Sequence, residues 1–540
     1  MGILSPVVVV TTLSTILLSI LWRATLDLPQ ETFLQCLLEK SLRSHPISAA
    51  IYTPQSSSYS SVLESYIRNL RFNETSTPKP FLILTASHES HIQAAVLCAK
   101  KQDFQMKIRS GGHDYEGLSY VSSVPFFILD MFNLRSVDVD IGNETAWVQT
   151  GATLGEVYYR IAERSNIHGF PAGVCPTVGV GGHLSGAGYG NMMRKYGVSA
   201  DNIIDAQFID ADGRLHDRKS MGENLFWAIR GGGGASFGVI LAYKIMLVRV
   251  PQKVTSFQVE KTLEENATDI VDQWQHVADK LPDELFIRLA LDVVNRSQSG
   301  EKTVRASFIS LFLGDSDTLL SIMNERFPKL GLSKSDCLET SWIRSVLFWA
   351  NIPIETKIDV LLDRTPQTLV SLKRKSDYVK EPIPKAGLEG IWKRMIELQV
   401  PKMFFNPYGG KMAEIPSTKI PFPHRAGNLW KIQYLANWNE SGIEAANHHL
   451  GPAVVLPGLL YVLPAFFSPL ANGRNKVGSA GLLLFFDQCL EVLKHFRVAV
   501  RSEMSLLCDV PVLIASVEVR QCFMFHLCAA GDSQSLVLTA

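Results

Sequence analysis

Two reactive side chains, His113 and Cys175, stand in separate glycine-rich stretches of this 540-residue chain. The histidine belongs to the segment RSGGHDYEG, residues 109–117, and the cysteine to a stretch of 25 residues, 173–197, that holds eight glycines. Glycine loses the most backbone entropy on folding and packs nothing, so such a density indicates that something lies against the backbone. A large flat ligand with phosphates fits this requirement, because glycine lets backbone amides approach a phosphate closely.

Several chemistries could use a cysteine and a histidine. A zinc site needs further ligands at short spacing, such as Cys-x-x-Cys; the sequence has none, so no metal site is predicted. A hydrolase in which His113 activates Cys175 is conceivable, although it leaves the glycine-rich stretches unexplained. The pattern Gly-x-Gly-x-x-Gly, typical of nicotinamide-dinucleotide sites, is absent from these stretches.

Length and composition predict a globular protein of two or three domains. The apolar content is 46% and the formal net charge is zero, which gives no support for nucleic acid as a partner. An uncharged apolar run, residues 7–22, precedes Arg23. It is short for a membrane span, and we interpret residues 1–24 as a cleaved signal peptide. We therefore expect a secreted protein, extracellular or in the cell wall, without a stable membrane anchor.

Secretion changes how cysteine and asparagine residues are interpreted. The chain has eight cysteines, which tend to pair in an oxidising compartment. Cys36 and Cys98 lie in apolar, helix-like segments, and we predict a structural disulfide between them. Asn-x-Ser/Thr sites predict N-glycosylation at five positions: Asn73, Asn143, Asn266, Asn295 and Asn439.

Strand and helix patterns divide the chain into segments. We predict an N-terminal helical segment over residues 25–76, a domain of alternating strands and helices over 77–250, and an α+β domain over 251–444. Short apolar runs predict strands at Gln105–Arg109 and Phe126–Asp130, and helical spacing predicts helices at Thr153–Arg164 and Leu263–Leu281.

Four motifs resemble the plant berberine bridge enzyme-like family: RSGGHDYEG, GVCPTVGVGGH, GYG and PFPHRAGNLWKIQY. The resemblance runs from about residue 32 to about residue 444. Members of that family are secreted FAD oxidoreductases of the vanillyl-alcohol-oxidase fold class. The resemblance therefore implies an α+β protein with a two-part FAD-binding domain of the PCMH type, over residues 77–250, and a substrate-binding domain with an antiparallel sheet, over 251–444.

The resemblance also implies the cofactor and how it is held. It implies FAD bonded covalently twice, through His113 and Cys175. Further flavin contacts are implied at ten positions: Arg109, Ser110, Gly111, Gly112, Gly179, Gly181, Gly182, His183, Gly186 and Val239.

Four residues match the family's substrate-handling positions: Tyr115, Tyr189, Lys431 and Gln433. The bridge-forming enzyme of the family has a catalytic glutamate where this chain has Gln433, which argues against that reaction. Relatives that resemble monolignol oxidoreductases have the glutamine, and their base is a tyrosinate beside the lysine. We therefore expect oxidation of a small alcohol, either an aromatic allylic alcohol or a carbohydrate, with Tyr115 as base or its partner and Lys431 lowering its pKa. Val178, at the family's oxygen-gating position, favours dioxygen as acceptor.

The last segment, residues 445–540, departs from the family. It is apolar, holds four cysteines, and lacks the family's closing motifs. We interpret it as an atypical tail in place of the segment that completes the flavin domain. An inactive product or a non-catalytic secreted glycoprotein is therefore the alternative to an active enzyme.

Overall fold

The computed structural model describes residues 29–440 and 442, apart from 297–299, 367, 400 and 401. The predicted signal peptide and the predicted tail lie outside the described residues. Twelve α-helices can be placed in the described part of the chain: α1 (29–39), α2 (Tyr59–Glu64), α3 (Glu89–Gln102), α4 (Leu154–Arg164), α5 (Val180–Ser185), α6 (Met193–Tyr196), α7 (Arg218–Ala228), α8 (Ala267–Val277), α9 (Ser316–Arg326), α10 (Trp342–Trp349), α11 (Lys385–Leu398) and α12 (Lys411–Glu414). Within the described residues, no helix has both the length and the apolar character needed to cross a membrane.

The strands of the first half form two main sheets and a short pair. A four-stranded sheet has the order β1-β2-β4-β3, from β1 (Ile51–Tyr52), β2 (Leu82–Thr85), β3 (Gln105–Arg109) and β4 (Phe126–Asp130). A five-stranded antiparallel sheet has the order β5-β6-β10-β8-β9, from β5 (Val137–Asp140), β6 (Thr145–Gln149), β8 (Ile203–Ile209), β9 (Leu215–His216) and β10 (Val239–Met246). Strands β7 (His168–Gly169) and β11 (Val248–Arg249) pair with each other.

The second half is built on a seven-stranded antiparallel sheet. Its order is β15-β12-β14-β13-β17-β18-β16, from β12 (Val254–Thr262), β13 (Leu285–Asn295), β14 (Lys302–Phe312), β15 (Cys337–Thr340), β16 (Ser371–Val379), β17 (Lys402–Pro407) and β18 (Trp430–Trp438). Mixed helices and sheets confirm the predicted α+β class. One face of this sheet packs in a core with Trp274 of α8 and Trp392 of α11. The opposite face carries the polar side chains of the candidate site.

Local sequence explains the elements that were predicted most closely. Strands β3 and β4 have the predicted bounds, because each is a short apolar run between turn residues. Helix α4 begins after Thr153, whose side chain accepts from the backbone of Glu156 while the Glu156 carboxylate accepts from the backbone of Thr153. This capping box satisfies amide groups that would otherwise have no partner at the start of the helix.

The predicted helix Leu263–Leu281 is wrong in its extent. A 3₁₀ turn, Leu263–Glu265, ends at Asn266, which has a φ of 67°, and α8 begins only at the next residue. Asparagine tolerates the left-handed region better than most residues, which permits this break.

Cys36 and Cys98 form the predicted disulfide and tie α1 to α3. The five predicted glycosylation asparagines are all exposed, as carbohydrate attachment requires, but their glycosylation stays a prediction.

Two buried arginines join the glycine-rich stretch of the first half to the second half. Arg194 is fully buried and donates to the backbone carbonyls of Leu281, Leu285 and Tyr408. Arg425 makes two hydrogen bonds, of 2.9 and 2.8 Å, to the carboxylate of Asp201. The cleft between the halves is therefore held by contacts that are out of reach of solvent.

Candidate active site

The two glycine-rich stretches meet at their backbones. A Cβ atom on Gly111 would lie 2.3 Å from the amide nitrogen of Gly179, and one on Gly179 would lie 2.2 Å from the amide nitrogen of Gly111. Only glycine permits this approach at both positions. The packing of these two glycines brings the segments of His113 and Cys175 together, and their predicted contacts with flavin stay predictions.

His113 bonds to a residue close to Cys175 in sequence. Its Nε2 lies 2.9 Å from the hydroxyl oxygen of Thr177. Burial lowers the pKa of His113 to about 4, and the positive charge of Arg68 acts in the same direction. The imidazole is therefore neutral at physiological pH. Thr177 was missed by the sequence analysis, although it stands inside the matched motif.

Cys175 has an accessible free thiol. Protein surrounds it closely enough that burial raises its pKa, while the positive charges of Arg288 and Arg374 act against this rise. A cysteine–histidine hydrolase would require the imidazole of His113 at the thiol. The hydrogen bond of that imidazole goes from Nε2 to Thr177, not to the thiol.

Hydrogen bonds to its backbone carbonyl and to its hydroxyl hold Tyr115 at the cleft. The buried side chain of Asn69 donates to the Tyr115 carbonyl at 2.9 Å and also bonds to the backbone of Leu372 in β16. The side-chain amide of Gln433 donates to the Tyr115 hydroxyl at 3.2 Å. Burial raises the pKa of Tyr115, whereas the bond from Gln433 and the charges of Arg374 and Arg288 lower it.

Tyr189 is the tyrosine that Lys431 contacts. The Lys431 ammonium lies 4.5 Å from the centre of the Tyr189 ring, and a guanidinium nitrogen of Arg288 lies 3.5 Å from the Tyr189 hydroxyl. The contact found for Lys431 is thus with Tyr189, whereas the cations that lower the pKa of Tyr115 are Arg374 and Arg288.

Burial sets the protonation of both members of this pair. It raises the pKa of Tyr189, which the charge of Arg288 opposes. It lowers the pKa of Lys431 to about 8, and the charge of Arg288 adds to that effect. Lys431 and Tyr189 are therefore in contact, and burial shifts the pKa of each toward its neutral form.

Pairing of the central strands explains why these side chains converge. Lys431 pairs with Asn406 of β17 and with Tyr378 of β16, so all three lie on one face of the sheet. Asn406 in turn accepts a hydrogen bond of 2.7 Å from Arg288 of β13. The sequence analysis missed both arginines of the site, because they lie on strands without a motif.

An aromatic group borders the cleft beyond Lys431. The ring of His424 stacks on that of Tyr378 with centres 3.9 Å apart, and Tyr378 contacts Tyr408 edge to face. Burial lowers the pKa of His424, and the charges of Lys431 and Lys380 act in the same direction. This group gives the cleft an apolar wall suited to a ring-bearing substrate.

Three residues predicted to contact flavin also make structural contacts within the protein. Arg109 is fully buried and makes hydrogen bonds to the Asp130 carboxylate and to two backbone carbonyls. His183 accepts a hydrogen bond of 3.1 Å from the amide of Gly173, and burial lowers its pKa to about 4. The side chain of Val239 is buried in the core of the four-stranded sheet. Charge and polarity in the sequence could not distinguish these roles from cofactor contacts.

Ser110 and the nearby glycines also form part of the scaffold. The Ser110 hydroxyl donates to the Thr150 carbonyl at 2.5 Å. A Cβ on Gly112 would lie 1.9 Å from a backbone oxygen, and one on Gly181 would lie 3.1 Å from Thr150. Gly186 is exposed.

Gly182 differs from its neighbours, because nothing lies within 4 Å of the position that its Cβ would take. It is exposed on the short helix α5, so packing within the protein does not require glycine there. An open glycine surface, a neutral imidazole and an accessible thiol suit a large planar cofactor. The residues present therefore fit FAD.

Val178 lies in the turn that follows Cys175. Its amide donates to the Cys175 carbonyl at 3.2 Å and its carbonyl accepts from Leu154 at 2.9 Å. The valine side chain is partly buried against the core of the first half. Its position beside Cys175 is thus fixed by backbone bonds.

Comparison with known proteins identifies the family. Residues 80–218 match the family model described as FAD binding domain. Berberine bridge enzyme-like 8 of Arabidopsis thaliana is 66% identical over 412 residues, which are 76% of this chain and 78% of that protein. Tetrahydroberberine oxidase of Berberis wilsoniae is 55% identical over 423 residues, 78% of this chain and 79% of that protein.

A solved structure adds a functional comparison. Wild-type Phl p 4.0202, described as a glucose dehydrogenase, is 40% identical with a TM-score of 0.74, and the match covers 83% of this chain and 90% of that chain. A variant with isoleucine changed to valine is described as a glucose oxidase. The double variant, in which an asparagine five positions later is also changed to histidine, is likewise described as a glucose oxidase. The variant with the histidine change alone is described as a glucose dehydrogenase.

Proposed function

The chain belongs to the berberine bridge enzyme-like family of FAD-linked oxidoreductases, and from this premise we propose that it oxidises a small alcohol, with FAD bonded to His113 and Cys175 and dioxygen as electron acceptor. The substrate is an aromatic allylic alcohol, such as a monolignol, or a carbohydrate. The enzyme is secreted to the extracellular space or the cell wall.

The observation that carries this proposal is the group formed by Tyr189, Lys431 and Arg288 in the cleft beside Cys175. Alcohol oxidation requires a group that accepts the hydroxyl proton as hydride leaves the carbinol carbon. When one proton has been lost from the Tyr189–Lys431 pair, either the phenolate or the neutral amine can accept it. The sequence analysis expected Tyr115 as the base or as its partner, and the present proposal gives the role of base to the Tyr189–Lys431 pair.

The other side chains of the cleft orient the substrate. Gln433 is held by Tyr115, and an amide cannot act as the carboxylate base that the bridge-forming reaction uses. The Tyr115 hydroxyl and the Gln433 amide are placed to hydrogen-bond the substrate hydroxyl. The rings of Tyr378 and His424 offer a flat wall that suits either an aromatic ring or the apolar face of a sugar ring.

Flavin, when bound, supplies the acceptor for the hydride and passes the electrons onward. His113 and Cys175 would hold it, and the open surface at Gly182 leaves room for it. Both residues belong to segments joined at Gly111 and Gly179, so two attachment points would be fixed relative to each other.

Val178 supports dioxygen as the acceptor, and His183 stands five positions after it. They are a valine and a histidine five positions apart, the same pair that the two substitutions introduce into Phl p 4. In that protein the valine accompanies the change from glucose dehydrogenase to glucose oxidase. We propose that Val178 leaves space for dioxygen to reach the flavin.

The test begins with the full-length secreted protein and its visible absorption spectrum before and after acid precipitation. Yellow colour that stays with the pellet is the expected result. The protein is then supplied with cinnamyl-type alcohols and with reducing sugars in air, and hydrogen peroxide is followed. Aldehyde formation would identify the aromatic class and lactone formation the carbohydrate class. A protein that holds covalent flavin but oxidises neither class would contradict the alcohol assignment.

A further inference from the structure

The contact between His113 and Thr177 determines which imidazole nitrogen is available for reaction. Nε2 lies 2.9 Å from the Thr177 hydroxyl oxygen. A hydroxyl can accept a hydrogen bond from a protonated Nε2 or donate one to an unprotonated Nε2. In the first arrangement, Nδ1 of the neutral imidazole has an unprotonated lone pair.

Thr177 is itself held firmly. The carbonyls of the residues on either side of it, Pro176 and Val178, accept hydrogen bonds of 2.9 Å from Gly155 and Leu154 at the start of α4. Its own carbonyl lies near Gly111, where an added Cβ would come within 3.0 Å. The hydroxyl can therefore fix the orientation of the imidazole rather than follow it.

We propose that Thr177 is a positioning residue for covalent flavin attachment: its hydroxyl accepts the Nε2 proton of His113 and thereby presents Nδ1 as the nucleophile. This inference rests on the proposed attachment of flavin to His113. Thr177 acts through the histidine and takes no part in alcohol oxidation.

The attachment has a simple balance. The Nδ1 lone pair forms a bond to the 8α carbon, that carbon loses one hydrogen, and the imidazole loses the proton on Nε2. The two hydrogens leave with two electrons, and dioxygen accepts them to give hydrogen peroxide. Thr177 keeps the departing proton on Nε2, which is the nitrogen that does not react.

The experiment isolates the histidine bond by removing the other attachment. The full-length Cys175→Ala variant, prepared without flavin, is incubated with FAD in air, and acid-stable flavin is followed by fluorescence in denaturing gels. The same time course is recorded for Cys175→Ala with Thr177→Val and with Thr177→Ser. Valine matches threonine in shape without the hydroxyl, and serine retains the hydroxyl.

Loss of the hydroxyl should slow attachment about tenfold, whereas serine should stay within about twofold of threonine, because one hydrogen bond that orients a reacting group contributes on this scale. Flavin that is bound before acid treatment should be equal in the three proteins. Equal rates for valine and threonine would overturn the proposal. So would a valine variant that binds no flavin, since Thr177 would then be needed for binding rather than for attachment.

The controls separate this inference from the proposed function. Wild-type protein that releases all its flavin in acid would refute covalent attachment altogether. A Cys175→Ala protein that releases all its flavin would refute the bond to His113. If the rate of flavin attachment in Cys175→Ala is the same with threonine and with valine at position 177, only the role of the hydroxyl is refuted.

Discussion

The Lys431 ammonium is 4.5 Å from the centre of the Tyr189 ring, and Arg288 acts on the pKa of both side chains. A buried ammonium and a buried phenol each favour the neutral form, because low polarity disfavours any charge. Once one proton is lost, phenolate beside ammonium and phenol beside amine are two arrangements of the same macroscopic state. The charge of Arg288 lowers the pKa of both partners, so it favours loss of a proton from the pair without deciding which partner loses it. The pair is a proton acceptor whose strength is set by burial and one arginine.

This pair predicts how activity depends on pH. The acceptor is active when deprotonated, and burial lowers the pKa of Lys431 to about 8, so kcat/KM should rise as the pH passes through about 8 and then level off. Lys431→Met should move the rise to higher pH, because burial raises the pKa of Tyr189.

Tyr189→Phe should lower kcat by about 10²–10⁴, the usual contribution of a general base. Tyr115→Phe is the matched control, and a larger loss there than at Tyr189 would return the role of base to Tyr115.

A single methylene at position 178 should change the electron acceptor. Val178→Ile adds bulk beside Cys175 and should lower the rate of reoxidation by dioxygen by more than about tenfold, while reduction by alcohol changes little. Reductive and oxidative half-reactions measured separately by stopped-flow absorbance test this. Val178→Ala should retain fast reoxidation. If the isoleucine variant slows flavin reduction by the alcohol instead, the residue acts on substrate rather than on dioxygen.

At the scale of elements, the glycines of the two stretches fall into two physical classes. Gly111 and Gly179 are required because two backbones meet there, and a Cβ on either would come within 2.3 Å of the other chain segment. Gly182, on helix α5, meets nothing within 4 Å. A dense run of glycines thus combines positions fixed by folding with a position open toward the space for a ligand.

Alanine substitutions distinguish these two classes. Gly179→Ala should destabilise the fold by more than about 4 kcal/mol, because its Cβ has no space and both neighbours are backbone. Gly182→Ala should leave the flavin-free fold as stable or about 0.5–1 kcal/mol more stable, since alanine favours a helix over glycine. It should nevertheless reduce flavin content if the cofactor lies on that face. Thermal unfolding and acid-stable flavin measure the two effects, and full flavin content in Gly182→Ala would place the cofactor elsewhere.

Local patterns predicted the elements, whereas contacts between distant segments decided the site. Strands β3 and β4 have the bounds predicted from the sequence, and Lys431 and Gln433 lie on one face of β18 because they are two residues apart. Which tyrosine each one meets depends on how the seven-stranded sheet faces the glycine stretches, and no local pattern encodes that. Arg109 shows the same limit, because its partner Asp130 is on the neighbouring strand β4 and directs the guanidinium into the core rather than toward a cofactor.

At the scale of the whole molecule, the cleft exists because the two halves are joined by buried charge. Arg425 follows His424 of the aromatic wall, and its guanidinium bonds to Asp201, which lies just beyond the glycine stretch. The side chains are 2% and 8% exposed. Asp201 also accepts from the amide of Val198, so one carboxylate connects the wall of the cleft to the segment that carries Tyr189. The relative placement of Tyr189 and the aromatic wall should therefore depend on this ion pair.

Asp201→Asn tests this link. Removing one partner of a buried ion pair leaves an uncompensated charge, and the expected loss of stability is about 3–5 kcal/mol. Because the pair borders the substrate wall and not the attachment residues, KM should rise while acid-stable flavin is retained. The exposed pair of Arg160 and Glu163 provides a control, since Arg160→Gln should change stability by less than about 0.5 kcal/mol. In the double variant Asp201→Asn with Arg425→Met, no unpaired charge remains, so part of the stability should return while KM stays high. If stability and KM recover together, the pair acts only through stability, and the geometry of the cleft is set by Arg194 instead.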